Sequence, residues 1–528
     1  MVMFTLSICH LTMTPIVLYF IFLLFPYIES ARILAVFPFP SISHQVVFRP
    51  LTHELARRGH DVTVITTDPA FPKGQAPKTL TEIDIHDLSY SRWNKLLSNI
   101  GDGVIDFTKL QDMMKTFIFS VYEEQVKTES VQKLLTDKNE HFDLLLVEAS
   151  LRCTLGFSHV FKAPVIQISS FGAFVDNHHI MGTPIHPLLY PSIFRDRFYN
   201  LTLWEKIIQL KKEWDLWRLV ANHDMDDELY KRLFGPDIPS LDELYNNVQM
   251  LFLNMHPIWE NNRPVPPGVI YMGGLHQNPE KELPKDLKSY LDSSKNGVIY
   301  FSLGTNVKPS NLPSRKLEAI LNVFTRLPYD ELWKWDNNDL PGRPRNIKIS
   351  KWLPQSDLLR HPKIKLFITQ GGLQSTDEAI TAGVPLIGIP MLGDQWYNVE
   401  KYIHHKIGAK LDMDDLTEDK LEAAIVNVIN DKSYRENILR LRSIMRDQPQ
   451  SPLERAVWWT EHVLRHGGAR HLRSPAANIS LTQYLELELV FTLAIILIIL
   501  LFVICVILKS IWRFLRFKLH PENKSKKC

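Results

Sequence analysis

Cysteine is scarce in this chain of 528 residues: four occur, at Cys9, Cys153, Cys505 and Cys528. Cys9 and Cys505 lie in apolar terminal segments and Cys528 is the last residue. Only Cys153 remains in the body, which excludes an intramolecular body disulfide and a cysteine-based metal site. A charge excess is missing too, with 60 Lys and Arg against 58 Asp and Glu. Within residues 509–528, Lys509, Arg513, Arg516, Lys518, Lys524, Lys526 and Lys527 stand against Glu522 alone, so the body before them is slightly acidic. No nucleic-acid partner is expected, because that would require a basic folded surface. Neither G-x-G-x-x-G nor G-x-x-x-x-G-K-[ST] occurs, which argues against a dinucleotide oxidoreductase and a P-loop enzyme. With 22% charged and 45% hydrophobic residues, the composition is that of a globular protein rather than a disordered one.

Each end carries a membrane-related segment. Pro15 to Phe25 is an uncharged apolar run too short to span a bilayer, and with Ser30 as a cleavage position residues 1–30 read as a signal peptide. Residues 489–508 hold no charge over a bilayer's length, so they read as a transmembrane helix. Residues 509–528 follow as a basic tail, cytosolic by the positive-inside rule, with the body luminal in a single-pass type I arrangement. Lys524 and Lys526 near the end resemble a dilysine retrieval signal for the endoplasmic reticulum, and the same charge suits an anionic lipid surface. Asn200-Leu-Thr and Asn478-Ile-Ser are glycosylation sequons on the luminal side, Asn200 being the farther from the membrane.

The body reads as two α/β series. Strands are expected at Ala31 to Phe37, Asp61 to Thr67, Phe142 to Glu148 and Pro164 to Ser169, with a helix after the first closed by Gly59. The stretch from about 180 to 245 is helical and rich in Trp and Leu, and Asn262 to Gly268 reads as a Pro-rich interdomain linker. A second series starts at Val298 to Ser302 and continues at Ile347 to Ser350, Lys365 to Thr369 and Pro385 to Ile389. Two doubly wound sheets joined by a linker make a cleft, with ligands beyond the carboxyl ends of the strands.

The sharpest segment runs from Trp352 to Gln395. An apolar strand ends at Gln370-Gly371-Gly372 and opens a helix, which exposes backbone N–H groups and a positive dipole end to an anion such as a diphosphate. Phe367-Ile-Thr-Gln-Gly-Gly-Leu-Gln-Ser-Thr-Asp-Glu378, Pro385-Leu-Ile-Gly-Ile-Pro390 and Asp394-Gln395 resemble the signature of the UDP-glycosyltransferase family, in its membrane-bound animal branch and its invertebrate members above all. The resemblance extends to Tyr271 to Leu275, Tyr300 to Thr305 and Pro452 to Val457, and covers nearly the whole chain.

This resemblance implies a GT-B fold: two Rossmann-like domains facing across a cleft, here with the added C-terminal transmembrane helix. Residues 31–270 would bind the acceptor, 271–445 the UDP-sugar, and 446–488 would pack back on the body as helix. By motif, Trp352 stacks on uracil, Gln355 bonds its edge, Glu378 holds the ribose hydroxyls, and Asp394 and Gln395 bind the sugar. Ser302, Thr305, Gln370 and the Gly371-Gly372 turn meet the phosphates, with Arg263 adding charge. His44, after the first strand in Pro-Phe-Pro-Ser-Ile-Ser-His, matches the family's catalytic-histidine segment. Its orienting carboxylate in relatives is an aspartate where this chain has Glu148; glutamate can still accept a ring N–H. Asp143 begins that strand, at the wrong end. Gln370 stands where many relatives have histidine, so it offers a neutral donor and no cation. No metal or other cofactor is expected, the Asp224-Met-Asp226 and Asp412-Met-Asp414 strings lying outside the signature. The resemblance thus implies an inverting transfer of a hexose from a UDP-sugar to a hydroxyl of a small lipophilic acceptor, as in conjugation and detoxification. UDP-glucose is favoured as donor over UDP-glucuronic acid, and homo-oligomerisation is left open.

Overall fold

Strands buried on both faces read as unbroken apolar runs, and such runs supply most of the thirteen strands that form two parallel sheets among the described residues. The structure, a computed structural model, describes residues 30–99 and 107–519. The apolar run read as a signal peptide and the lysines near the C-terminus lie outside the described residues. The first sheet comprises β1 (Arg32–Phe37), β2 (Asp61–Thr66), β3 (Leu80–Asp84), β4 (Leu144–Glu148), β5 (Val165–Ser169), β6 (Val248–Leu253) and β7 (Val269–Tyr271). Its order is β3-β2-β1-β4-β5-β6-β7. The second comprises β8 (Val298–Ser302), β9 (Asp330–Lys334), β10 (Ile347–Ser350), β11 (Ile364–Thr369), β12 (Leu386–Gly388) and β13 (Gly408–Lys410), in the order β10-β9-β8-β11-β12-β13.

Both orders reverse direction once, between β1 and β4 and between β8 and β11. At such a switch point neighbouring crossovers leave to opposite faces and a crevice opens at the carboxyl ends. The Pro-rich stretch before Gly268 is not the interdomain linker expected of it. It leads into β7, which still pairs with β6 through Leu251↔Val269, so the crossing follows Tyr271. The helix Pro452–Arg465 returns to the first domain, where Ala456, Val457 and Val463 join the core under the helix Ile42–Arg57. The expected span lies inside a single helix, Leu487–Leu519, long and apolar enough to cross a membrane, with no residue buried against the body.

One core residue breaks the pattern. Glu331 of β9 is fully buried on the face that carries Trp333, and neither carboxylate oxygen has a hydrogen-bond partner. Burial, with nearby Asp330, pushes its pKa well above the ordinary range. A raised folded pKa means the cost is absent below the unfolded pKa and grows as pH rises toward the folded value. Replacing Glu331 with Leu is expected to stabilise the protein by about 1–3 kcal/mol near neutral pH. The gap in denaturation midpoint between variant and wild type should widen from pH 5 to pH 8; a pH-independent gap would contradict the assignment.

Candidate active site

β1 ends at Phe37, and the turn Pro38 to Ser41 lets the helix Ile42–Arg57 start at once, so His44 falls in its first turn. Glu148 is the last residue of β4, the strand beside β1 across the switch point. The two meet: His44 Nδ1 lies 2.6 Å from Glu148 Oε1. Glu148 is buried and held, accepting Ser150 Oγ–H at 3.1 Å and the Phe39 N–H at 3.3 Å. Phe39 stacks on the imidazole at 4.8 Å between centroids and Phe171 meets it edge-on at 5.4 Å. A carboxylate at Nδ1 selects the tautomer with hydrogen there, which leaves the Nε2 lone pair free to take a proton. Asp143 is at the far end of β4, accepting the Arg32 N–H at 2.8 Å.

The second switch point faces this pair. After β11, Gln370-Gly371-Gly372 leads into the helix Leu373–Ala382. Gly371 has φ +90° and a Cβ there would meet Val399 Cγ2 at 2.5 Å, so only glycine fits. Its carbonyl accepts from Asn398 Nδ2, which also donates to Asp394 Oδ2 at 2.8 Å. Burial pushes Asp394 up to about 6, against the Asn398 amide, its own backbone N–H and the charge of His44. Gln395 Oε1 accepts the N–H groups of Met391 and Leu392, so what it can offer a ligand is its NH₂. Gln355 Nε2 donates to Glu378 Oε2 at 2.7 Å and to Ser375 Oγ, while its Oε1 accepts from Tyr300. Glu378 is raised above the usual range by burial, opposed first by His276. Trp352 is 65% exposed, with an indole face open for stacking.

A single cavity of about 650 Å³ joins the two halves. Thr305, Trp352, Gln355, Gln370, Gly372, Glu378, Asp394 and Gln395 line one side. His44 with Phe39, Trp93, Phe171, Phe174, Phe194 and Leu219 lines the other, which is mostly apolar.

The sequence model for "UDP-glucoronosyl and UDP-glucosyl transferase" matches residues 32–521. The chain belongs to the UDP-glycosyltransferase family. It is 38% identical over 481 residues to the ecdysteroid UDP-glucosyltransferase of Spodoptera littoralis nuclear polyhedrosis virus, covering 87% of this chain and 93% of that one. To UDP-glucosyltransferase 2 of Dactylopius coccus it is 33% identical over 473 residues, covering 88% and 89%. Among solved structures, UDP-glucose: anthocyanidin 3-O-glucosyltransferase in complex with UDP superposes with a TM-score of 0.58 at 16% identity, over 83% of this chain and all of that one. That likeness is one of fold, and the fold is GT-B.

In this UDP-glycosyltransferase three expected site residues stand apart from the cleft. Arg263 is buried elsewhere: its guanidinium donates to the Tyr190 carbonyl at 2.8 Å, lies over the Tyr190 ring and sits 3.7 Å from Glu260. Ser302 is buried one layer back, its Oγ accepting the Gly304 N–H, so it shapes the loop rather than reaching a ligand. Gly371 is likewise behind, and Gly372 is the glycine at the surface of the cavity. Several lining residues were not anticipated: Lys334, His276, Tyr300 and Ser375. Gln374 donates to the Ser170 carbonyl, tying the helix Leu373–Ala382 to the opposite domain. Asp226 is spent on Arg152 at 2.8 Å and Lys115 at 3.3 Å. Of the two sequons, Asn200 is exposed, whereas Asn478 is half-buried and donates to the Asp242 carbonyl.

Proposed function

We propose that this glycosyltransferase moves glucose from UDP-glucose to a hydroxyl of a lipophilic acceptor, with inversion and without a metal. The observation that carries the reading is the His44–Glu148 pair placed across one cavity from Asp394 and the Gly372 helix start. His44 Nε2 takes the acceptor's hydroxyl proton as its oxygen attacks the anomeric carbon. The bond from that carbon to the diphosphate oxygen breaks, UDP leaves with the electron pair, and an α-linked donor gives a β-glycoside. Glu148 stabilises the imidazolium formed. Backbone N–H groups at the start of the helix Leu373–Ala382 face the charge building on the leaving diphosphate.

The acceptor belongs on the apolar side of the cavity, against Trp93, Phe171 and Phe174. Relatives named for ecdysteroids make a polyhydroxylated steroid the first acceptor to try. The long apolar helix suits a membrane-anchored enzyme with its body in the lumen of the endoplasmic reticulum, where Asn200 and Asn478 would be glycosylated and lipid-partitioned substrates conjugated.

The test is UDP release by the full chain in membranes, with UDP-glucose, UDP-glucuronic acid and UDP-N-acetylglucosamine against an ecdysteroid, phenols and aliphatic alcohols. Fastest release is expected with UDP-glucose, only when an apolar acceptor is present, and unchanged by EDTA. Acceptor-independent release would indicate a hydrolase. No release with any donor would indicate a silent nucleotide-binding subunit.

A further inference from the structure

The phosphate end of the donor site lacks the cation expected of it. Gln370 occupies the turn before the helix Leu373–Ala382, its side chain is neutral, and its Oε1 is buried without a partner. Its amide lies against Gly304, at φ +76°, where a Cβ would meet Gln370 Nε2 at 2.1 Å. On the other side of that glycine is Lys334, the last residue of β9, whose Nζ donates to the Gly304 carbonyl at 2.9 Å. The same Nζ stands 4.8 Å over the centroid of Trp352. Lys334 lines the cavity, and among the described residues no carboxylate lies within ion-pair distance of it. Burial accordingly lowers its pKa with nothing to oppose it. Lys115 and Arg152, the cations on the apolar side, both pair with Asp226.

A half-buried ammonium without a counter-ion is costly unless an anion arrives. The place where it sits is bounded by the Gly304-Thr305 loop, the Gln370 turn and the expected uracil platform, so the anion's position is that of a nucleoside diphosphate. We infer that Lys334 is the counter-ion of the donor's diphosphate, supplying from the end of β9 the charge that Gln370 does not carry. The inference rests on the donor site proposed above. Its geometry makes a further statement: the ammonium bridges loop, phosphates and indole, so one side chain links base stacking to phosphate binding.

Titration calorimetry of the full chain in nanodiscs with EDTA, using UDP, UDP-glucose and uridine, tests it. Lys334→Gln keeps an N–H for the Gly304 carbonyl and removes the charge. It is expected to weaken UDP about tenfold or more while leaving uridine within about twofold. Lys334→Arg should restore UDP binding to within about threefold. The loss of UDP affinity between low and high salt should be smaller in Lys334→Gln than in wild type. Equal weakening of UDP and uridine would overturn the inference, because Lys334 would then only support Trp352 or the loop, and so would unchanged UDP binding. Wild type that binds uridine and UDP equally well would also overturn it. Wild type that binds none of the three ligands would instead remove the donor-site reading on which it rests.

Discussion

Replacing His44 with alanine is expected to lower acceptor-dependent UDP release by about 10²–10⁴-fold, the range that a positioned general base supplies. UDP binding should be unchanged, because His44 lines the opposite side of the cavity from Gln370 and Gly372. The magnitude follows from the arrangement around the ring: Glu148 holds Nδ1 at 2.6 Å and Phe39 covers one face. With the ring gone, a hydroxyl that ionises far above neutral pH must attack without its proton being removed. Glu148→Gln should also be slow, since the amide can reverse the tautomer while filling the same space. Glu148→Asp separates position from charge, and its activity reports whether the longer carboxylate is needed to reach the ring. The measurement is release under saturating UDP-glucose, with and without acceptor. Release untouched in His44→Ala would remove the histidine from the mechanism, and a matching loss of UDP affinity would make its role structural.

How much of this was legible beforehand depends on what signal each part leaves. His44 and Glu148 are 104 positions apart, yet one follows an apolar strand and the other ends one, and a switch point brings such strand ends together. The Trp352 to Gln395 segment was legible because its glycines, carboxylates and apolar strands keep fixed spacing. β9 was not, because Asp-Glu-Leu-Trp-Lys carries three charged residues in five and does not look like a buried strand. Missing the strand meant missing Lys334, which only the sheet order puts beside Gly304. Arg263 was misplaced for a related reason: β7 has three residues, too few to recognise, so the arginine before it looked like part of a linker facing the cleft. Side-chain partners left no trace in spacing either. Gln355 bonds Glu378, so the residue expected at the base edge also orients the carboxylate expected at the ribose.

The second large effect concerns Asp394, and its sign follows from burial. The carboxyl is raised from the ordinary aspartate range to about 6, so above that pH it is an anion and below it a neutral acid. An anion can accept hydrogen bonds from two sugar hydroxyls, each worth about 1.5–3 kcal/mol when the partner is charged. Asp394→Asn is therefore expected to cut the affinity for UDP-glucose about 10²-fold or more, while UDP, which lacks the transferred hexose, is held as before. The informative quantity is the ratio of UDP-glucose to UDP affinity, because it cancels the base and phosphate contacts and does not require His44 to turn over. In wild type that ratio should fall as the pH drops through 6; in Asp394→Asn it should be low and flat. Donor binding favours the charged form, so it should also lower this pKa and release a proton when measured near pH 6 in two buffers of different ionisation enthalpy. A ratio independent of pH in wild type, or the same slope in the asparagine variant, would move sugar recognition away from Asp394. Asn398 makes the arrangement sensitive to the other domain: its amide donates to Asp394 while its Oδ1 accepts from Trp259 Nε1 at 2.8 Å. The Asp394 carboxylate is thus held in register by a residue anchored across the domain boundary.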